Sequence, residues 1–413
     1  AGYIQQGQGE NALNCFEQMQ CEGIFADAVA LVCTLKACGM LDILHKGKAI
    51  HAVILLQGLI ENVLIGTGLL DMYAKCGALA KAQDVFDQLQ NRNRVCWTAL
   101  IAAYTKHGQG EKALKCFEQM QLEGISPSAI TFACSLKACG NVGAIGEGQR
   151  IHEEIIQLCS YLLETDIVLG TALVDMYAKC GMLVNAWKVL NELPVRNVVS
   201  WSALIAGHAQ EGQGHEAFDC FEQMQREGLS PDEFTFTSIL QACGNIRMAE
   251  KGEKIHNEIV KKGFLKTNPV LGSALVDMYA KCGLLAKAQE VFEKLRARNI
   301  ISWSALIAGY VQDGLVREAL TCFEKMQSEG FSPDAITFLC VLSACGRSGL
   351  LDEAQMLYEN MTNMYGIIPD LQHHTCMVSC LGRFGHINEA TSMIKRMSFC
   401  VNDSSVWLAL LGA

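Results

Sequence analysis

The chain repeats itself, and that limits its fold more than any other feature. Asp71-Met-Tyr-Ala-Lys-Cys-Gly77 returns at Asp175 to Gly181 and at Asp277 to Gly283, shifts of 104 and 102 residues. Trp97, Trp201 and Trp303 keep the same two intervals. Phe16-Glu-Gln-Met19 recurs at Phe117, Phe221 and, with one change, Phe323, while Ala37-Cys-Gly39 recurs at Ala138, Ala242 and Ala344. One period divides into segments of 35, 36 and 31 residues: Val198–Asp232, Glu233–Asn268 and Pro269–Asn299. A stack of like units follows, and the usual prior of roughly 150 residues per domain loses its force.

Each segment reads as a helical hairpin. In 300–334, Trp303, Leu306, Ile307 and Tyr310 fall at i, i+3, i+4 and i+7 on one helical face. Asp313-Gly314 breaks that helix. Ala319, Leu320, Phe323 and Met326 form a second stripe, ended by Gly330 and Ser332-Pro333-Asp334. Such a hairpin cannot bury two apolar stripes alone, but stacked on its neighbours it can, which predicts an α-solenoid with a continuous core. Composition agrees. Half of the 413 residues are apolar and 18% charged, which excludes disorder. The longest apolar run, Ala28 to Cys33, is about six residues, against the roughly 20 of a membrane helix. Six prolines cannot punctuate an all-β chain of this length, and the 37 glycines have no collagen period.

Ala1-Gly2-Tyr3-Ile4 matches Ala206-Gly207-His208 and Ala308-Gly309-Tyr310, so the chain is expected to begin inside a repeated unit. No signal or transit peptide is visible in it, which says nothing about destination.

Three alternating unit lengths differ from the constant 34 residues of tetratricopeptide repeats. The chain closely resembles the pentatricopeptide repeat family, in its plant organellar subclass with long, short and standard motifs in rotation. Val199-Ser-Trp-Ser-Ala-Leu-Ile205, Phe221-Glu-Gln-Met224 and Gly228-Leu-Ser-Pro-Asp232 carry the standard motif. Thr235-Phe-Thr-Ser-Ile-Leu-Gln-Ala-Cys-Gly244 with Ile255-His256 carries the long one, and Val270-Leu-Gly-Ser-Ala-Leu-Val-Asp-Met-Tyr-Ala-Lys-Cys-Gly283 the short one. The resemblance implies an all-α, right-handed α-solenoid of about twelve helix-turn-helix repeats of 31–38 residues. The expected units are a partial standard unit 1–27, then long 28–62, short 63–93, standard 94–128, long 129–166, short 167–197 and standard 198–232. Long 233–268, short 269–299, standard 300–334, variant long 335–370 and variant short 371–402 follow, and 403–413 resembles the start of an extension motif.

In this family each unit meets one RNA base, chosen by its fifth and last residues. The fifth residues of standard and short units here are Thr67, Thr98, Thr171, Ser202, Ser273, Ser304 and Thr375. Their last residues are Asn93, Ser128, Asn197, Asp232, Asn299, Asp334 and Asn402. All are short and polar, whereas long units carry Val32, Ala133, Thr237 and Leu339 at the fifth place. One alternative is that Thr or Ser at the fifth place only caps a helix. Carried over unit by unit, Thr or Ser with Asn implies adenine, and with Asp guanine. Thr67/Asn93, Thr171/Asn197, Ser273/Asn299 and Thr375/Asn402 then read A, as does Thr237/Asn268. Ser202/Asp232 and Ser304/Asp334 read G, and Thr98/Ser128 a purine. With parallel binding, the implied target is 5′-NNARNAGAAGNA-3′.

The family's second residue sandwiches the base, here Val95, Val168, Val199, Val270 and Ile301, for which ordinary solenoid core is the alternative. The thirteenth residue is basic at Lys75, Lys106, Lys179, Lys281 and Arg383, one stripe suited to phosphates. Against this stands the formal net charge of −10, which predicts modest affinity and strong salt dependence.

His152/Glu154 and His256/Glu258 echo the zinc deaminase opening H-x-E, but no Pro-Cys-x-x-Cys or Cys-x-x-Cys follows, so neither catalysis nor a metal or other cofactor is expected of this chain. Fourteen of the twenty cysteines fall at repeated positions and read as packing, with free thiols implying a reducing compartment. His373, His374, Cys376 and Cys380 also read as packing rather than a metal cluster. The resemblance implies single-stranded RNA binding as the targeting module of a C-to-U editing factor in a mitochondrion or chloroplast. A deaminase domain, downstream in the intact protein or recruited as an editing-complex partner through the C-terminal motifs, would do the chemistry. The alternatives are a protein-binding scaffold, or an RNA splicing, stability or translation factor without editing.

Overall fold

The computed structural model describes residues 2–266, 268–396 and 407–408, the side chains of 158–165, 266 and 396 excepted. Among the described residues there are helices and turns and no strand. The chain divides into two compact units, Ala1–Gly207 and His208–Ala413. Each is a stack of antiparallel helical hairpins.

In the first unit the hairpins begin with Ala28–Met40, Val63–Lys75, Arg94–Lys106, Ala129–Val142 and Ile167–Lys179, and each of these first helices packs on the next. In the second unit Glu233–Asn245, Pro269–Lys281, Ile300–Gln312, Ala335–Ser348 and Leu371–Arg383 do the same. The second helix of each hairpin packs behind, against its own first helix and that of the following hairpin. First helices therefore form one layer and second helices another, in each unit.

A polar residue starts every first helix for which the cap is described. Asn62, Asn93, Asp166 and Asp370 each accept two backbone N–H groups, satisfying donors that a helix start leaves open. The turn to the second helix needs a left-handed residue, supplied by Gly77, Gly181 and Gly283 at φ near 70°. In two long units a side chain stands there instead, Asp42 and Arg247, both at φ 55°.

The joints between hairpins follow the three-unit rhythm. From long to short, His51, His152 and His256 Nδ1 hydrogen-bond the Tyr73, Tyr177 and Tyr279 hydroxyls at 2.8–2.9 Å. The same joint explains why Ala-Cys-Gly and Asp-x-x-x-Lys recur together. A Cβ on Gly39, Gly140 or Gly244 would lie 3.1–3.3 Å from the stem of Lys75, Lys179 or Lys281. Glycine there lets the lysine lie along the neighbouring helix with its head in water. From short to standard, Phe86 meets Trp97 and Phe292 meets Trp303 edge to face, both at 4.5 Å. Arg92 lies over Phe86, and Arg298 over Phe292, where it also pairs with Glu329 at 2.9 Å. From standard to long, Phe117 meets Phe132 and Phe323 meets Phe338.

Candidate nucleic-acid interface

Residues 2, 5, 9 and 13 of a first helix lie at i, i+3, i+7 and i+11, a single helical face. The second-position side chains stand in solvent: Val95, Val168, Val199, Val270 and Ile301 are 51–68% exposed. They are not core, so that alternative fails. The row is longer than the sequence reasoning found, because Val29, Leu64, Ile130, Phe234 and Ile336 at the same place are 55–65% exposed. Aligning every unit, long ones included, would have revealed it.

The fifth residues sit one turn inside their helices rather than at the cap, which overturns the capping alternative. Thr67, Thr98, Ser202, Thr237 and Thr375 each donate to the carbonyl four residues back at 2.6–2.8 Å, and Ser273 Oγ lies 3.2 Å from the Pro269 carbonyl. Capping belongs to the last residues instead. Asn93, Ser128, Asp232, Asn268, Asn299 and Asp334 are all N-caps of the following first helix, and Asn197 Oδ1 accepts the Ser200 N–H in the same manner. Helix initiation thus accounts for a short polar residue at the end of a unit. It does not distinguish Asn from Asp.

The fifth and last side chains meet directly in two short units. Ser273 Oγ donates to Asn299 Oδ1 at 3.0 Å, and Asn197 Nδ2 donates to Thr171 Oγ1 at 3.3 Å. In standard units they meet through the third residue of the next helix. Thr337 Oγ1 lies 2.7 Å from Ser304 Oγ and 2.6 Å from Asp334 Oδ1. Thr131 likewise lies between Thr98, at 2.7 Å, and Ser128, at 2.8 Å. Two pairs are wired otherwise. Thr67 contacts Cys96 Sγ at 3.2 Å, and Asn268 Nδ2 donates to Glu233 Oε2 at 2.5 Å instead of reaching Thr237. Asn402, the partner expected for Thr375, lies outside the described residues.

The thirteenth-position bases end their first helices, where cations suit the helix dipole. Three are already partnered: Lys75, Lys179 and Lys281 bind Asp71, Asp175 and Asp277 one turn back at 2.7–2.8 Å. Arg383 reaches the Gly346 carbonyl at 3.5 Å, and no carboxylate among the described residues pairs with exposed Lys106. The aspartates at position nine were overlooked in the sequence, although their spacing from Lys is that of an i,i+4 pair.

The H-x-E histidines belong to the His–Tyr joints described above. Glu154 accepts from Gln121 Nε2 at 2.7–2.8 Å, and Glu258 from Gln225. Burial holds His152 and His256 below the usual imidazole range. His373 and His374 point to different partners: the first to Asp370 and the Ala335 carbonyl, the second to the Tyr358 hydroxyl. Burial pushes the repeated thiols up, Cys38 and Cys345 to about 11, Cys139 and Cys243 to about 12. These are packing thiols rather than nucleophiles.

Known proteins share this pattern. A profile of the PPR repeat family matches residues 92–141, 196–245 and 298–347. A PPR repeat profile matches 1–24, 67–94, 171–198, 234–264, 273–300, 336–364 and 373–399. The chain is 39% identical over 348 residues to the chloroplastic pentatricopeptide repeat-containing protein At4g18520 of Arabidopsis thaliana, covering 84% of this chain and 56% of that one. It is 38% identical to the mitochondrial protein At1g06140 of the same plant, covering 84% and 62%. It therefore spans roughly half to two thirds of these relatives' length. Among solved structures, PPR10 in complex with an 18-nt PSAJ RNA element superimposes with a TM-score of 0.56 at 18% identity, over 98% of this chain and 69% of that one. That likeness establishes the fold. On its repeats and its relatives, the chain belongs to the pentatricopeptide repeat family.

Proposed function

We propose that the chain binds single-stranded RNA along its first-helix layer, one base per unit, as the targeting module of an organellar C-to-U editing factor. The observation that carries the reading is the exposed apolar row at position two, set beside polar pairs at the fifth and last positions. Exposed Val, Leu, Ile and Phe side chains do nothing for the core, but flat apolar surface suits the face of a base, and the adjoining donors and acceptors suit its edge. A chain of this family with such a face is best read as an RNA binder. The proposed target is 5′-NNARNAGAAGNA-3′, read parallel. The rotation of long, short and standard units supports the editing subclass, with the deaminase supplied outside the residues described. The chloroplastic and mitochondrial relatives support an organellar destination.

A second reading, a protein-binding scaffold, is favoured by one observation. The Lys–Asp pairs leave little free positive charge on the face of a chain whose net charge is −10. Selection of bound RNAs from a random pool, at two salt concentrations, separates the two. RNA reading predicts enrichment of a purine-rich register near ARNAGAAGNA, weaker at the higher salt. No enrichment at either salt would transfer the function to the scaffold.

A further inference from the structure

We propose that the third residue of a long unit positions the base-reading pair of the standard unit before it, with Thr337 the clearest case. The inference rests on the base-reading function above and specifies what sets its selectivity. Thr337 is fully buried, so it touches no base itself. Its Oγ1 donates to Asp334 Oδ1 at 2.6 Å, and its backbone N–H donates to the same oxygen at 2.8 Å. A carboxylate has no proton to return, so the direction of the first bond is fixed. Thr337 Oγ1 has then spent its only proton and must accept from Ser304 Oγ, 2.7 Å away. Ser304 in turn is left as an acceptor, linked through Thr337 to Asp334, whose second carboxylate oxygen is an acceptor as well.

Two acceptors joined through Thr337 match the Watson–Crick edge of guanine, which offers N1–H and N2–H side by side. They mismatch adenine, whose N1 is itself an acceptor. The preceding short unit shows the opposite arrangement. Ser273 Oγ donates directly to Asn299 Oδ1, which leaves the serine oxygen as an acceptor beside the Nδ2 donor of Asn299. That alternation fits adenine, with its N6–H donor and N1 acceptor. Ser302, the third residue there, donates to the Asn299 backbone carbonyl at 2.9 Å and stays out of the relay. In the unit 94–128 the Thr98 proton goes to the Arg94 carbonyl, so Thr98 accepts from Thr131 and Thr131 from Ser128, a relay of reversed direction with no carboxylate in it. Selectivity between purines should be weak at that unit.

Thr337→Val keeps the branched shape and the backbone N–H to Asp334 but removes the relay hydroxyl. Its binding is compared on RNAs carrying G or A at the tenth nucleotide of the target, which the unit 300–334 faces, and at the seventh, which faces 198–232. The G-over-A ratio at the tenth nucleotide is expected to fall about tenfold, the worth of one charge-assisted hydrogen bond. The ratio at the seventh should hold, and Thr337→Ser should restore the tenth. Each ratio comes from one preparation, so a loss of folded fraction cancels, and Thr337→Ala provides a second removal of the hydroxyl. Full G preference at the tenth nucleotide in both Val and Ala variants overturns the positioning role and leaves base reading standing. No preference at either nucleotide in the unaltered chain overturns base reading, and this inference with it.

Discussion

The two faces of one helix, Ile300–Gln312, carry the same chemistry to opposite ends. Trp303, Leu306 and Ile307 are buried in the joints with neighbouring hairpins, while Ile301, two residues before the tryptophan, stands 64% exposed. Every first helix in which position two is apolar repeats the contrast. Burying an apolar side chain stabilises a fold by about 1.5–3 kcal/mol, so a chain that leaves ten of them in water at one repeated place gains little stability from them. Such a row is the mark of a surface made to be covered. The contrast predicts that one face governs stability and the other binding.

The largest effect belongs to the buried face. Trp303→Ala removes the side chain that meets Phe292 and lies beneath Arg298. It should cost about 3–5 kcal/mol in denaturant unfolding; a loss below about 1 kcal/mol would break the assignment of that face to the core. Next comes the exposed face. Ile301→Ala should leave unfolding unchanged within about 0.5 kcal/mol yet weaken RNA binding several-fold, as titration of both proteins with the target RNA would show. Equal loss of stability and binding would erase the distinction between the faces.

A gentler test uses pH on the buried joints. Burial lowers the pKa of His51, His152, His256 and His374, each hydrogen-bonded to a tyrosine hydroxyl. A depressed imidazole means that the fold favours the neutral form. That contribution is complete above the unfolded pKa of about 6.5 and is lost as pH falls below it. Melting temperature should therefore drop between pH 7.5 and 5.5, and His256→Gln should flatten the drop. The smallest effect concerns charge on the exposed face. Asp277→Asn frees Lys281 from its 2.7 Å pair, an exposed contact worth a few tenths of a kcal/mol. Stability should barely move, while RNA affinity rises about two-fold at low salt and the gain vanishes at high salt.

The fold was legible because repetition puts every helix, turn and joint on display several times. Trp97, Trp201 and Trp303 mark one buried position, and Gly77, Gly181 and Gly283 one turn. Much of the candidate site was legible too, since the fifth and last residues stand out by type. Exposure at position two was not, because Val and Ile look the same whether they face a core or solvent. The wiring was hidden for a different reason. Thr337 belongs to the next unit, and only the fold brings it between Ser304 and Asp334. Asn268 shows the converse: its identity fits the pattern, yet Glu233 holds its amide.

The central claim, that the last residue of a unit selects the base, is tested most directly at Asn197. This side chain donates to Thr171 and caps the helix Val198–Gln210. Asn197→Asp preserves the cap, since either residue serves there equally. The measurement is the affinity of both proteins for RNAs with A or G at the sixth nucleotide. The account predicts a crossed preference, A for the unaltered chain and G for the variant. An unchanged preference for A, or none in either protein, would contradict it.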